Sequence, residues 1–387
     1  MARDADDEDW IPGSEWFTRD AIDRRAAEFI AKLDPRQYVG TKHHIVPRFI
    51  LARFANNRGQ VYVRERLTPR EGLRNIKDLA VRDFYTFIND EGELDSSFES
   101  LLGEVEKVAA AVLRDHLDNP FMRPRPFDTV ERMAIDSLVS MQAVRGHAHR
   151  RRGEILADYY IKATNRQHLS DQDMVELEFV PHQNELLKHS MMVASKVHQQ
   201  LAQRACFIVT FDRPLLLTCD EPVLLGRDND EEPLTAAELN DHPRRVIADG
   251  VRPEDLIQIT GPRAVGVADA DGIAMPLSPR HALVYDQPGT ICAAEHVRLT
   301  GEEAGSAADE IAEYCVENAY AWLAGHPDHP ALKTMKLPKS RPPVIVIDGG
   351  TPMSRHLQAD PRRIAHRLDK NARPDPVRRQ PDGAVDA

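Results

Sequence analysis

The feature that most constrains the fold is a change of hydrophobic period partway along the chain. Between Phe98 and Leu201 apolar residues recur every three or four positions, whereas after Cys206 they come in short runs punctuated by Gly and Pro. Phe98, Leu101, Leu102, Val105, Val108, Ala109, Val112 and Leu113 form one continuous stripe, the mark of an amphipathic helix. A second helix is predicted to open at Asp128-Thr-Val-Glu131, a capping-box pattern just after Pro126, and to run through Val130, Met133, Ala134, Leu138 and Met141. A third, over Glu185 to Arg204, carries Leu187, Met191, Ala194, Val197 and Leu201 on one face. From Cys206 onward, Phe207-Ile-Val-Thr-Phe, Leu215-Leu-Leu-Thr, Ile257-Gln-Ile, Ala264-Val-Gly-Val, Ile273-Ala-Met, Ala282-Leu-Val-Tyr and Thr290-Ile-Cys-Ala follow at hairpin-like spacing. A closing helix is predicted over 303–323, with Ile311, Cys315, Ala319 and Trp322 inward. A helical middle packed with a short-stranded, mainly antiparallel sheet and a closing helix defines the α+β class.

The flanks read differently. Trp16 to Leu33 has helical spacing, so residues 1–40 are expected to form an N-terminal helical extension. Gln60-Val-Tyr-Val-Arg alternates like a half-buried strand, and Phe84-Tyr-Thr-Phe-Ile is the partner expected for it. Arg227 to Asp255 is polar and is expected to be a surface excursion. From Lys333 to the end there are twelve Lys or Arg against six Asp, a net of +6, which leaves −18 for residues 1–332. That Pro-rich segment, 331–387, is expected to be a largely disordered basic tail, although Val344-Ile-Val-Ile347 could add an edge strand. The expected organisation is thus one α+β domain over 41–330, its helical part at about 94–204 and its sheet part at about 205–296.

Several classes of function fall away on composition. A net charge of −12 argues against a dedicated duplex-DNA binder, without excluding a local basic groove. No stretch approaches the roughly 20 apolar residues that a membrane-spanning helix needs. The acidic start, Met1-Ala-Arg-Asp-Ala-Asp-Asp-Glu-Asp, lacks the apolar core of a signal peptide, and Cys206, Cys219, Cys292 and Cys315 are scattered. Both features fit a cytoplasmic protein with reduced thiols. The phosphate-binding loop, the dinucleotide-binding glycine turn, the nucleophile elbow and the zincin histidine pair are all missing from the sequence.

The most distinctive run is Lys42-His43-His44-Ile-Val-Pro47-Arg-Phe-Ile-Leu51-Ala-Arg-Phe54. Two histidines precede an extended Ile-Val-Pro step, since the residue before proline is pushed out of the helical region. A short helix carrying Phe49, Ile50 and Phe54 follows. This run resembles the opening of the bacterial family known as domain of unknown function four-two-three-eight, which reads His-His-x-Val-Pro-x-x-x-Leu-x-x-Phe. Further matches come in the family's order: Gln142-Ala-Val-Arg145, Leu217-Thr-Cys-Asp220-Glu-Pro222, Met275-Pro-Leu-Ser278-Pro-Arg280, and Asn318 in the closing helix. Cys219 stands where the family has Ser, and Glu221 where it has Asn. The resemblance implies a shared fold and a shared pocket, and it brings no established reaction. The same His-His-Ile-Val-Pro is also similar to the opening of HNH endonucleases, but no further His occurs before His116, so the metal-binding unit of that fold is incomplete.

Physical chemistry singles out some of these residues independently. Arg145 lies four positions past Met141 and seven past Leu138, so it is expected to continue an apolar helix face, where a guanidinium must reach the rim or meet an anion. Asn318 is expected on a buried face, needing partners for its amide. Asp220 ends an apolar strand two positions before Pro222, and alternation sends one of His43 and His44 inward. Two readings stay open. In the first, a hydrolase of an anionic or phosphodiester substrate uses His43, His44 and Asp220 as catalytic groups and binds substrate through Gln142, Arg145, Arg280 and Asn318. In the second, the same cluster is a structural polar network in a non-catalytic binding or regulatory protein. No cofactor is named by the sequence; a divalent metal is conceivable because His43, His44 and Asp220 make a two-histidine, one-carboxylate set. An anionic ligand or a nucleic acid is the partner left open, and a membrane is not expected.

Overall fold

A computed structural model of the chain describes most of residues 43–337 and the strand at 344–347. Residues 1–42, 227–256 and 348–387 lie outside the described residues, as do shorter stretches such as 171–178 and 290–295. The helix expected at Trp16–Leu33, the excursion at 227–255 and the strand expected at Thr290–Ala293 therefore fall outside them.

The chain opens with β1 (His43–His44), α1 (Arg48–Phe54), β2 (Gln60–Glu65), β3 (Glu71–Asn75), β4 (Val81–Arg82), β5 (Phe87–Ile88) and β6 (Leu94–Asp95). Four long helices follow: α2 (Ser97–Leu117), α3 (Thr129–Ala143), α4 (His147–Thr164) and α5 (Gln183–Ala202). Then come β7 (Arg204–Phe211), β8 (Thr218–Cys219), β9 (Leu224–Gly226), β10 (Ile257–Thr260), β11 (Gly272–Ser278), β12 (His281–Pro288) and β13 (Val297–Leu299). Helix α6 (Gly301–Asn318) and strands β14 (Trp322–Gly325) and β15 (Val344–Ile347) complete the order. The α+β class and the switch from helix to sheet are as expected. Among the described residues no helix is long and apolar enough to cross a membrane.

Two mainly antiparallel sheets dominate. One runs β13-β7-β12-β11-β9, antiparallel except for the parallel β13–β7 pair; the other runs β3-β2-β14-β8. The face of the first sheet that carries Ile208, Leu283, Tyr285, Ile273 and Met275 is buried in the main core, together with Ile135, Leu138 and Val139 of α3 and Leu201 of α5. The opening motif supplies the centre of that core: Ile45, Val46, Ile50, Leu51 and Phe54 are fully buried. Polar ties reinforce the packing. Arg132 donates to Asp136 within α3 and to the carbonyls of Leu201 and Arg204, and the Tyr285 hydroxyl donates to Asp136 at 2.8 Å.

Helix α3 begins as the capping box predicts. The Asp128 side chain accepts from the Glu131 amide, and the Glu131 carboxylate accepts from the Asp128 amide, both at 2.9 Å. Other details differ from expectation. β2 pairs with β3 and β14, not with Phe84–Ile88, where Phe87–Ile88 instead pairs with Leu94–Asp95. A hairpin closed over a few residues takes one edge of β2, and the strand that follows α6 takes the other. The closing helix stops at Asn318, and Trp322 belongs to β14 rather than to the inward face of a helix. Arg145 lies past the end of α3, in the turn to α4, so it does not continue that helix. Packing also runs on past residue 330: Leu332 is buried, Met335 and Leu337 lie against the same apolar cluster, and Arg64 donates to the Leu332 carbonyl at 3.2 Å. Beyond it, β15 pairs antiparallel with β10.

Candidate functional site

The two histidines of the opening motif lie on β1, which pairs with β4. Strand alternation separates them as expected: His43 is buried and His44 half-buried. The His43 Nδ1 accepts from the Tyr85 amide at 3.2 Å, and the two rings lie 5.3 Å apart. Burial, followed by the positive charges of Arg48 and Arg145, holds the His44 imidazole below its ordinary pKa, so it is neutral at physiological pH. Gln142, in the last turn of α3, donates to the Ile45 carbonyl at 2.9 Å and ties that helix to the motif, while its Oε1 has no hydrogen-bond partner.

Arg145 is only 4% exposed, and three groups receive its guanidinium. It donates to Glu106, lies 3.6 Å from Glu99, and sits over the Tyr85 ring at 5.5 Å. The Tyr85 hydroxyl in turn donates to the Arg145 carbonyl at 2.9 Å. Glu99 and Glu106 are seven residues apart on α2 and fall on the stripe of Leu102, Ala109 and Leu113. Burial, reinforced by the charge on Glu106, pushes the Glu99 carboxyl up to about 7, against the pull of Arg145. The Arg145 Nε is buried with no hydrogen-bond partner. Arg145 also lines a narrow cleft of about 20 Å³, room for about one water molecule, whose other walls include Tyr85, Gly146, His149, Arg150, His189 and Ser190. There the rings of His149 and His189, on α4 and α5, stack with centroids 6.0 Å apart. Burial, then the charges of His189 and Arg152, lowers the His149 pKa to about 4.

A second polar group adjoins the first at Gly146. Asp220 is completely buried, and its carboxylate accepts from the amides of Tyr320 (2.9 Å), Ala321 (2.7 Å) and Trp322 (3.4 Å). Those three amides follow the end of α6, so one side chain both receives the terminating backbone and starts β14. Burial raises the Asp220 pKa to about 6, against the amides, which favour the ionised form. Glu221 caps α4, accepting from the Ala148 amide at 2.8 Å where the N-cap, Gly146, offers no side chain. A methyl group at Gly146 would fall about 2 Å from the Glu221 carboxylate, so the position excludes any side chain while Glu221 is there. Asn318 donates to the carbonyls of Glu221 and Val223, pinning the strand end that carries both acids. The Cys219 thiol donates to the Glu221 carbonyl from full burial, as a small core residue.

His43 and Arg145 thus meet at Tyr85, while Gln142 is tied to the neighbouring Ile45 carbonyl and His44 feels the Arg145 charge. Asp220 and Asn318 engage backbone groups in the adjoining assembly. Arg280 belongs elsewhere: it is exposed, donates to the Asp212 carbonyl, and lies near His281 with Arg53 and Asp118. Among the described residues no three His, Cys, Asp or Glu side chains are placed to hold a metal ion. Sequence reasoning missed Tyr85, Glu99, Glu106, His149 and His189. The signal for Glu99 and Glu106 was present, because both interrupt an otherwise apolar helix face.

Glu221 carries a testable pH dependence. Burial, then the charge of Asp220, pushes its carboxyl from an ordinary 4.5 up to about 8. The folded protein therefore holds a proton that the unfolded chain releases, and the stability this group contributes falls as pH rises between those values. Histidines with lowered pKa destabilise the fold only as pH falls below about 6.5, in the lower part of that window, and they do so equally in wild type and variant. Glu221→Gln keeps the acceptor for Ala148 and removes the titration. Its melting temperature is expected to match the wild type near pH 5.5 and to exceed it by a few degrees at pH 8.5. Parallel melting curves across that range would show that Glu221 titrates as an ordinary carboxylate.

The chain belongs to the family described as Protein of unknown function (DUF4238), which matches residues 42–329. No curated protein and no solved structure matches it.

Proposed function

We propose that the protein is a hydrolase of an anionic ester, a phosphodiester among the candidates, and that the charged group of the substrate binds at the mouth of the narrow cleft beside Arg145, which widens to admit it. The observation that carries this reading is the Arg145 side chain: a buried guanidinium lining a cleft, with its Nε lacking a hydrogen-bond partner. Arg150, which pairs with Glu154 at 3.3 Å, brings a second guanidinium to the cleft. His149 is the general base in this reading. Its imidazole is neutral, and an anion bound beside it would raise its pKa toward neutrality. His43, His44 and Gln142 support the cleft from behind through Tyr85 and Ile45. Asp220 and Asn318 set its wall through Glu221 and Gly146 and take no part in proton transfer.

A second reading, a binding or regulatory protein without chemistry, is favoured by one observation: Glu106 and Glu99 already balance the Arg145 charge. Purified protein incubated with bis(4-nitrophenyl) phosphate, with inorganic phosphate binding followed by calorimetry, separates the two. Hydrolysis that falls by a factor on the order of 100 or more in His149→Ala, with melting unchanged, supports the hydrolase. Phosphate binding without turnover of any ester supports the second reading. Neither binding nor turnover overturns both.

A further inference from the structure

The five-stranded sheet has a second face, and it carries a hollow. Directly opposite residues on paired strands point to the same side. The register Leu299↔Phe211, Ala274↔Val284, Leu224↔Ala274 and Gly226↔Gly272 therefore puts one apolar surface across the whole sheet. Helix α6 crosses it, presenting Ala307, Ile311 and Tyr314, which recur at helical spacing on one side. Where they meet, the sheet offers Gly226, Gly272 and Ala274 and the helix offers Ala307, so among the described residues no side chain fills the space between. The result is a cavity of about 220 Å³. For scale, an apolar cavity of about 150 Å³ in another protein takes up benzene.

Among the described residues two polar side chains line this cavity, and both come from α6. Tyr314 lies over Gly226, where an added methyl would sit 3.2 Å from its hydroxyl. Glu310, exposed to solvent, stands at the rim. The helix that carries them holds six carboxylates and no Lys or Arg, with Arg213 against its first turns, so the helix itself favours a cation beside Glu310. An apolar chamber with a carboxylate and a phenol at its entrance suits a ring or short chain ending in a cation.

We propose that the cavity between the five-stranded sheet and α6 binds a small amphipathic amine, with its apolar body on Phe211, Leu224 and Ile311 and its ammonium at Glu310. This site is separate from the Arg145 cleft and does not depend on the reading given to it. The probe is 2-phenylethylamine, titrated into the full-length protein beside 2-phenylethanol and 3-phenylpropionate. The amine is expected to bind saturably, on the order of 1 mM, as suits so small a ligand. It should bind about three- to fivefold tighter than the alcohol, the size of effect a solvated ion pair supplies, and the carboxylate should not bind. Ala307→Leu, which fills the chamber, should abolish binding of both. Glu310→Gln changes an exposed position and should leave amine and alcohol equal. Absence of saturable amine binding, binding unchanged in Ala307→Leu, or a carboxylate that binds as well as the amine overturns the proposal. If Ala307→Leu does not fold, the loss or persistence of the amine preference in Glu310→Gln decides it.

Discussion

Replacing Asp220 by Ala is expected to destabilise the protein by about 3–5 kcal/mol, with the midpoint of denaturant unfolding shifted to match. The carboxylate is wholly buried and receives the amides of Tyr320, Ala321 and Trp322. Removing it leaves those amides without their acceptor where water does not reach. The consequence extends to the four-stranded sheet, because the same backbone begins β14, which pairs with both β2 and β8. Asp220→Asn should lose less, since one carbonyl oxygen can still accept while its NH2 opposes a backbone donor. A catalytic carboxylate behaves in the opposite way, its removal leaving stability unchanged or improved. An Asp220→Ala protein as stable as the wild type would therefore return Asp220 to the list of catalytic candidates.

The second large effect is expected at Arg145. Arg145→Met strands Glu106 and Glu99, and a loss of about 2–4 kcal/mol should follow at pH 8. Both carboxylates keep some contact with solvent, 21% for Glu106 and 32% for Glu99, which holds the loss below that of a fully enclosed pair. The penalty should shrink on acidification. Stranded carboxyls accept protons, and Glu99 already titrates at about 7 with the arginine present. Adding Glu106→Gln to Arg145→Met should recover part of the stability, which a double-mutant cycle reads directly. A loss below about 1 kcal/mol at pH 8 would mean that these ion pairs contribute little.

The sequence was most informative where one rule acts locally. The capping box at Asp128 and Glu131, the helical stripe at 98–113 and the alternation that buries His43 but not His44 all follow from spacing alone. It was least informative where a distant residue decides. The helical pattern of 303–323 continues smoothly through Trp322, yet α6 stops at Asn318, and a carboxylate about a hundred positions earlier captures the next amides. Similarly, nothing near Gln60–Glu65 announces Trp322–Gly325 as its neighbour. Within the site, Arg145 was visible as a charge in an apolar context, while its partners on α2 were absorbed into a stripe counted only for its hydrophobic members. His149 and His189 lie 40 residues apart on different helices, and their stacking is a product of the α4–α5 arrangement alone.

The position of β14 inside the sheet order β3-β2-β14-β8 bears on how the protein is made. Glu65 leaves the ribosome long before Trp322, the residue it faces, with more than 250 positions between them. At about 5–20 residues per second, β2 waits roughly 10–50 s with one edge unpaired. Throughout that interval it offers an apolar, hydrogen-bond-hungry border to any other nascent chain. Slow synthesis or crowded polysomes should therefore lower the soluble yield more than modest changes in the stability of the finished protein. A trapping chaperone that binds extended segments should engage the chain around Val61 and Val63 and release it once Gly325 has emerged.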